Sequence, residues 1–388
     1  MPPLAYGRAA GEKKAHPELA DVFREHGQSY RRTHALPLSH LKVMRAIEVC
    51  RTKELGGHLK KCDTCGFEHP TYNSCRNRHC PKCQSLAKAR WLKKQTSELL
   101  PVGYFHLVFT LPHELNWLIL ANRKILLTLL FKAVSETLLE FGRTRLKGTV
   151  GIIAVLHTWD QTLKDHFHLH CLVPAGALSF DRSRWIACRK NFLFPVKALS
   201  LVFRGKFLDL LKQAVDQGKI QAASQELKEL RKKNWVVYAK KPFGSPQTVL
   251  DYLGRYTHRV ALSNDRILSA QNGQVTLSFR DRRDGERKKT MTLDAEEFIR
   301  RFLLHVLPNG FMRVRHFGFF ANRSKKSLLP LCRKLLGLNP ALPEVPHKSP
   351  QDLMLELTGI DISRCPRCKQ GTMLIVAELP KLRPWDSS

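Results

Sequence analysis

Apolar positions recur every three or four residues through the first part of the chain: Leu19, Val22 and Phe23, then Val43, Met44 and Ile47. This spacing predicts a small helical lead-in over residues 1–50. From His58 to Cys83 the periodicity disappears and Cys, His, Asn and Arg take over, a composition suited to a segment organised by metal and not by a core. A separate module over 51–100 is expected, closing with a helix over 85–100. Pro101 and Gly103 mark a boundary before the strand-like run Tyr104 to Leu111. A long helix is predicted over about 114–146. Two apolar runs follow, Val150 to Trp159 and His166 to Pro174, and the polar turn between them makes them paired strands. Residues 181–244 carry a charged, helix-prone stretch and no catalytic pattern, and are read largely as an insertion. A helix over 247–257 precedes short strands at 260–263, 266–270, 275–280 and 289–293, with Asn272-Gly273 and Asp284-Gly285 as turns. No internal repeat is evident, and the Pro-rich last forty residues predict little regular structure. The pattern amounts to an α+β protein whose central domain spans 101–305, followed by a region at 306–388.

Charge changes the picture. The 388 residues include 65 Lys and Arg against 33 Asp and Glu, a net charge of +32 on a chain that is 43% hydrophobic. A chain with that much apolar content folds, so the excess points to a polyanionic partner, with nucleic acid ahead of an anionic membrane surface. The most apolar stretches, Val150 to Leu156 and Leu115 to Phe131, are too short or are interrupted by Asn122, Arg123 and Lys124, so no membrane span is expected. Met1 to Lys14 lacks an apolar signal core, which predicts a reducing, cytoplasmic setting. Eleven cysteines in that setting argue for metal binding over a disulfide framework.

Cys62-x-x-Cys65 and Cys80-x-x-Cys83 nearly match the four-cysteine zinc spacing, in which each pair gives two thiolates to one tetrahedral ion. A closed four-thiolate site leaves no open position, so its zinc is structural and supports a DNA-reading module. His58, His69, Cys75 and His79 are surplus donors that complete a second site, replace one cysteine, or cap turns. Cys365-Pro-Arg-Cys368 is half of a zinc ribbon without its second half; recruitment of Cys332 or His347, pairing across a dimer, and no metal at all stay open.

In the run Asp165-His-Phe-His-Leu-His170, strand alternation sends His166, His168 and His170 to one face and Phe167, Leu169 and Cys171 to the other. A wall of imidazoles packs poorly and repels when charged, so a divalent metal is the economical reading against a solvated His-rich strand. Tyr252 and Tyr256 lie four apart, on one face of the predicted helix, flanked by Arg255 and Arg259. Such a pair is usually half-buried core; beside a metal wall and a phosphodiester-seeking charge it becomes a candidate nucleophile pair, whose phenols, with a pKa near about 10, need a neighbouring cation. From Phe311 to Lys334, Arg313, Arg315, Arg323, Lys325 and Lys326 interleave with Phe317, Phe319 and Phe320 and no acid intervenes, which suits phosphate neutralisation; the aromatics fit base stacking and core packing equally.

Together, the segment Tyr72-Asn-Ser-Cys-Arg-Asn-Arg-His-Cys-Pro-Lys-Cys-Gln84, the His168-Leu-His170 strand, the Tyr252-x-x-x-Tyr256 helix and Arg315-His-Phe-Gly-Phe-Phe-Ala-Asn322 resemble the two-tyrosine HUH rolling-circle transposases of bacterial insertion sequences, the insertion sequence ninety-one family. The resemblance runs in order from about Lys53 to Lys326. It implies an HUH endonuclease core, an antiparallel sheet flanked by helices, behind an N-terminal zinc-binding module. It further implies that His168 and His170 bind catalytic Mg2+ or Mn2+, and that Tyr252 or Tyr256 attacks single-stranded DNA to leave a 5′-phosphotyrosine link. Single-tyrosine relatives take a third ligand from a Gln four residues after the nucleophile; here those places hold Tyr256 and Val260. Gln161 is the first choice instead, followed by His166 and Asp160.

The expected function is that of a DNA transposase acting on single-stranded transposon ends and target DNA in the bacterial cytoplasm, at the nucleoid. A replication initiator or relaxase would share the chemistry, and the position of the zinc module favours the transposase. A zinc-finger regulator without enzymatic activity, and a single-stranded RNA-binding protein, are the rivals of other classes.

Overall fold

In the computed structural model, residues 17–382 are described apart from 190, 222–223, 244–247, 250–253, 255–261, 282–283, 345 and 347. The first half of the chain runs α1 (Leu19–Thr33), α2 (Leu38–Glu48), β1 (Gly57–Cys62), β2 (Glu68–Tyr72), α3 (Pro81–Glu98), β3 (Tyr104–Thr110), α4 (Asn116–Ala121), α5 (Arg123–Arg145), β4 (Gly148–Thr149), β5 (Gly151–Trp159), β6 (Asp165–Pro174), β7 (Gly176–Ser179) and β8 (Trp185–Ala187). It continues with α6 (Val196–Asp216), α7 (Ser224–Lys232), β9 (Val237–Phe243), β10 (Ile267–Gln271), β11 (Gln274–Asp281), β12 (Arg287–Asp294), α8 (Ala295–Leu303), β13 (Val314–Gly318), α9 (Asn322–Leu335), α10 (Pro350–Thr358) and β14 (Met373–Leu379). Helices with antiparallel sheets make this an α+β fold, as the sequence pattern predicts. No helix among the described residues is long and apolar enough to cross a membrane.

The chain forms two compact units, each assembled from separate stretches of sequence. One comprises Met1–Arg90, His258–Val306 and Pro346–Ser388; the other comprises Trp91–Thr257 and Leu307–Val345.

In the first unit, β1 lies at the centre of a three-stranded antiparallel sheet ordered β14-β1-β2. The last forty residues, expected to lack regular structure, thus supply a strand and, with α10, a helix. The helix begins on a Ser349/Asp352 capping box and ends on Gly359 at φ 69°, signals that outweigh the high proline content. A second sheet, β10-β11-β12, is an antiparallel meander whose first turn places Asn272 (φ 53°) and Gly273 (φ 72°) in the left-handed region, the type I′ geometry that matches strand twist. Residues 264–266 form a 3-10 turn where part of a strand was expected. The amphipathic α1 and α8 meet through Phe23 and Phe302, edge to face at 5.5 Å.

The second unit is built on a five-stranded antiparallel sheet ordered β13-β5-β6-β3-β9, with a small β4-β7-β8 sheet beside it. One sheet face presents Phe105, Leu107, Phe109, Ala154, Leu156, Phe167, Leu169 and Cys171 to α4, α5 and α6, forming the larger core. The other face presents Tyr104, Ile153, Val155 and Leu172 to Phe319, Phe320, Leu329 and Cys332. The long helix expected over 114–146 is two helices: Asn122 leaves helical geometry (φ −128°, ψ 41°), its amide donates to the Leu118 carbonyl, and its own carbonyl accepts from Ile125 and Leu126. A short amide side chain that bonds its own backbone makes such a break. Described residues of 181–244 are integral to this unit. Leu199, Phe203, Phe207 and Leu211 of α6 sit in the larger core, and β9 closes the sheet against β3. Helical periodicity was visible there, but the edge strand was too short to announce its partner.

Candidate functional site

The hairpin β5–β6 positions a cluster of histidines. Alternation along β6 buries Phe167, Leu169 and Cys171 in the larger core and turns His168 and His170 to the opposite face. Register then brings in a third ring, since His157 of β5 pairs with His168. The ligating nitrogens of His157, His168 and His170 lie within 4.8 Å of one another, and all three side chains are buried. His168 Nε2 stands 3.0 Å from His170 Nε2. His168 Nδ1 is 2.8 Å from the His166 carbonyl, to which it donates, and His170 Nδ1 is 2.9 Å from Nε2 of the buried His106 on β3.

The His166 carbonyl can only accept, so His168 Nδ1 carries the proton and its Nε2 lone pair faces His170. Where His106 Nε2 accepts from His170 Nδ1, both Nε2 lone pairs converge, an arrangement that a cation between them stabilises. A separation of 3.0 Å is the edge of an octahedron whose metal–ligand bonds are about 2.1 Å long. The residues therefore fit a divalent cation.

The third imidazole is His157, where the sequence reading put Gln161, His166 or Asp160. Gln161 lies in the turn beyond β5, which the Asp160 carboxylate stabilises by accepting from the Thr162 and Lys164 amides at 2.8 and 2.9 Å. His166 is exposed and serves His168 through its backbone oxygen. Only the hairpin register, set by the turn at 160–164, could have identified His157 from sequence. Tyr252, Tyr256, Arg255 and Arg259 lie outside the described residues.

The motif at 315–322 is largely structural. Phe319 and Phe320 are buried among Ile153, Val155 and Leu329, so stacking on bases is excluded for them. Gly318 has φ 63°, and a Cβ on it would stand 1.7 Å from the Val150 carbonyl oxygen. His316 bonds Gln95 at 3.1 Å, and burial, then Lys325, pushes its pKa down to about 4, keeping it neutral. Lys325 makes a 2.6 Å ion pair with the buried Glu98, which gives its charge a partner inside the fold. Arg315 lies over the rings of Phe131 and Phe311 at 4.3 and 5.0 Å, and burial lowers its pKa. Arg313 lies 5.7 Å over Trp159, while Arg323 and Lys326 are exposed.

The four cysteines expected to form one zinc site are divided between two clusters. Cys80 and Cys83 join Cys50 and Cys75, and Cys62 and Cys65 join Cys365 and Cys368; within each cluster all Sγ atoms lie within 4.8 Å. Cys50–Cys83, Cys75–Cys83 and Cys50–Cys80 Sγ separations are 3.6, 3.5 and 3.7 Å. A tetrahedron of thiolates about 2.3 Å from zinc has edges of roughly 3.8 Å, whereas a disulfide needs about 2.05 Å. The cysteines fit zinc. Hydrogen bonding among the four sulfurs pulls Cys50 down to about 7 and Cys83 down as well, while it pushes Cys75 and Cys80 up, so without a metal two thiolates are held by two thiols. Of the surplus donors, Cys75 completes this cluster and His79 bonds Asn77 in a turn. Cys332 is packed in the apolar core around Phe319, and His347 lies outside the described residues.

Two family profiles match the chain. One described as "Transposase zinc-binding domain" matches residues 22–111 and one described as "Putative transposase" matches residues 151–327. Among curated proteins, "Putative transposase y4qJ" of Sinorhizobium fredii is 46% identical over 96% of this chain and 99% of its own length. The "Transposase for insertion sequence element IS801" of Pseudomonas savastanoi pv. phaseolicola is 28% identical over 72% of this chain and 70% of its own. No solved structure matches.

Proposed function

The chain belongs to the insertion sequence ninety-one family of transposases, with an N-terminal zinc-binding domain, and from that premise we propose that it nicks and rejoins single-stranded DNA through tyrosine. The observation that carries the proposal is the buried His157–His168–His170 cluster on the hairpin face opposite the larger core, in a chain with net charge +32. These three imidazoles would hold Mg2+ or Mn2+, and the all-nitrogen donor set favours Mn2+ of the two. When bound, the ion supplies Lewis-acid polarisation of the scissile phosphate and stabilises charge on the departing oxygen.

The protein's own residues do the rest. The His166 carbonyl and His106 hold the rings of His168 and His170 in the ligating tautomer. Tyr252 or Tyr256 gives up its phenolic proton as its oxygen bonds to phosphorus; the bond from phosphorus to the 3′ oxygen breaks, and that oxygen takes a proton. The phosphotyrosine conserves the energy of the broken bond for a later joining step that reverses this one. Two tyrosines allow one strand end to be held while a second is cut. Arg255, Arg259, Arg313, Arg323 and Lys326 neutralise the backbone of the transposon end and the target strand. The enzyme works on DNA at the bacterial nucleoid, in the cytoplasm.

The test is incubation of the purified protein with labelled single strands from the ends of its own element, with Mn2+ or Mg2+, followed by denaturing electrophoresis. A metal-dependent covalent adduct is expected, reduced in Tyr252→Phe or Tyr256→Phe and absent from the double variant and from His157→Ala. Tight DNA binding with no adduct under any metal would instead make the protein a regulator.

A further inference from the structure

The family profile for zinc binding ends at residue 111, yet two of the eight clustered cysteines, Cys365 and Cys368, lie far beyond it. They meet Cys62 and Cys65 where the end of β1 and the start of β14 pair. Cys62 Sγ is 3.7 Å from Cys368 Sγ, and Cys65 Sγ is 3.7 Å from Cys365 Sγ. Those are the edges of a thiolate tetrahedron around an ion with bonds of about 2.3 Å.

The two CxxC turns are built alike. Each turn aims an amide at one of its sulfurs, Cys65 N–H at the first cysteine Cys62 and Gly371 N–H at the second cysteine Cys368, both at 3.4 Å. In each, the residue after the second cysteine is left-handed, Gly66 at φ 67° and Lys369 at φ 60°. The chain also closes each turn, with Gly66 N–H donating to the Cys62 carbonyl and Lys369 N–H to the Cys365 carbonyl. Amides aimed at sulfur stabilise thiolate and leave the remaining lone pairs for a metal. Gly371 leaves room for the opposite turn, since a Cβ there would stand 2.4 Å from Cys62 Sγ. The turns are joined by backbone as well: Asp63 N–H donates to the Thr372 carbonyl at 3.1 Å, and Thr372 N–H donates to the Asp63 carboxylate at 2.9 Å. Among the described residues, Phe67 and Met373 are the apolar side chains clustered with the sulfurs, a small apolar cluster for this end of the sheet.

We propose that Cys62, Cys65, Cys365 and Cys368 form a second, closed structural Zn2+ site, independent of the Cys50–Cys75–Cys80–Cys83 cluster, and that this ion clasps β14 onto β1. Four thiolates leave no coordination position for substrate, so its role is to fix the 365–379 segment against the zinc-binding domain.

The test counts metal and maps it. Purified, zinc-replete protein analysed by inductively coupled plasma mass spectrometry should hold about two zinc ions per chain, and the Cys365→Ser/Cys368→Ser variant about one. The wild-type protein should also be alkylated with iodoacetamide before and after chelation and its peptides read by mass spectrometry, a measurement that does not depend on a variant folding. Cys365 and Cys368 should be shielded together with Cys62 and Cys65 and become reactive on chelation. Immediate alkylation of Cys365 and Cys368 while Cys50, Cys75, Cys80 and Cys83 stay shielded, a disulfide among the four, or retention of two zinc ions by the double variant would overturn the proposal.

Discussion

Lys325 shows how a residue chosen for its charge can belong to the interior. On sequence it is one cation among several in an acid-free stretch, and nothing local announces that Glu98, 227 positions earlier, faces it. Removing one partner of a largely buried pair leaves the other uncompensated. Lys325→Met is therefore expected to destabilise the protein by about 3 kcal/mol, and the double variant with Glu98→Leu to recover much of that loss. Thermal melting of the two variants checks this; unchanged melting with weakened DNA binding would return Lys325 to the phosphate-contacting set. The histidines divide in the same way. His168 and His170 could be read as facing one way because strand alternation is a two-residue rule, while His157 became visible only through the register of a hairpin. Cys50 escaped for a related reason, while Cys75 stood only among the surplus donors: CxxC spacing is local, and a tetrahedral site accepts thiols from any distance along the chain.

Among the elements, β13 shows most clearly why a motif can be legible and its purpose not. The Arg315 to Asn322 run stands out in the sequence for its arginine and aromatics, which suits nucleic acid. Its strand pairs with β5 from Val314 to Gly318, then turns so that Phe319 and Phe320 drop into the core. Gly318 makes that turn with a left-handed backbone against the Val150 carbonyl. Gly318→Ala should cost about 3 kcal/mol or more, combining a left-handed alanine with a backbone collision; a denaturant midpoint shift in urea measures it, and a shift within about 0.5 kcal/mol would show that the turn relaxes. By contrast, α1, α5 and the β5–β6 hairpin followed directly from apolar periodicity, which is strongest in long elements buried on one face. Among the elements missed, β9 and β14 are edge strands whose identity lies in a partner elsewhere in the chain.

At the scale of the whole molecule, the net charge of +32 is too large to be consumed by internal pairs such as Lys325–Glu98. Binding to single-stranded DNA should therefore weaken steeply with salt, with a slope of log affinity against log salt of roughly −0.7 per phosphate contacted. Contacts to six or more phosphates would give about −4 or steeper in a fluorescence-anisotropy titration; a slope near zero would show that charge does not drive the association. The α+β class and the polyanion partner could be read from composition and periodicity. The division into two units could not, because the chain returns to the first after completing much of the second.

That return has a consequence in time. β1 forms the middle of its sheet, yet one of its neighbours is β14, and the Asp63–Thr372 contact that aligns them spans 309 positions. At a synthesis rate of roughly 5–20 residues per second, β1 spends about 15–60 s with one edge open before the strand that covers it exists. A nascent transposase is thus exposed to edge-to-edge pairing with its neighbours on the same messenger for nearly its whole synthesis, and chaperone occupancy at that edge becomes part of what decides how much of it reaches DNA.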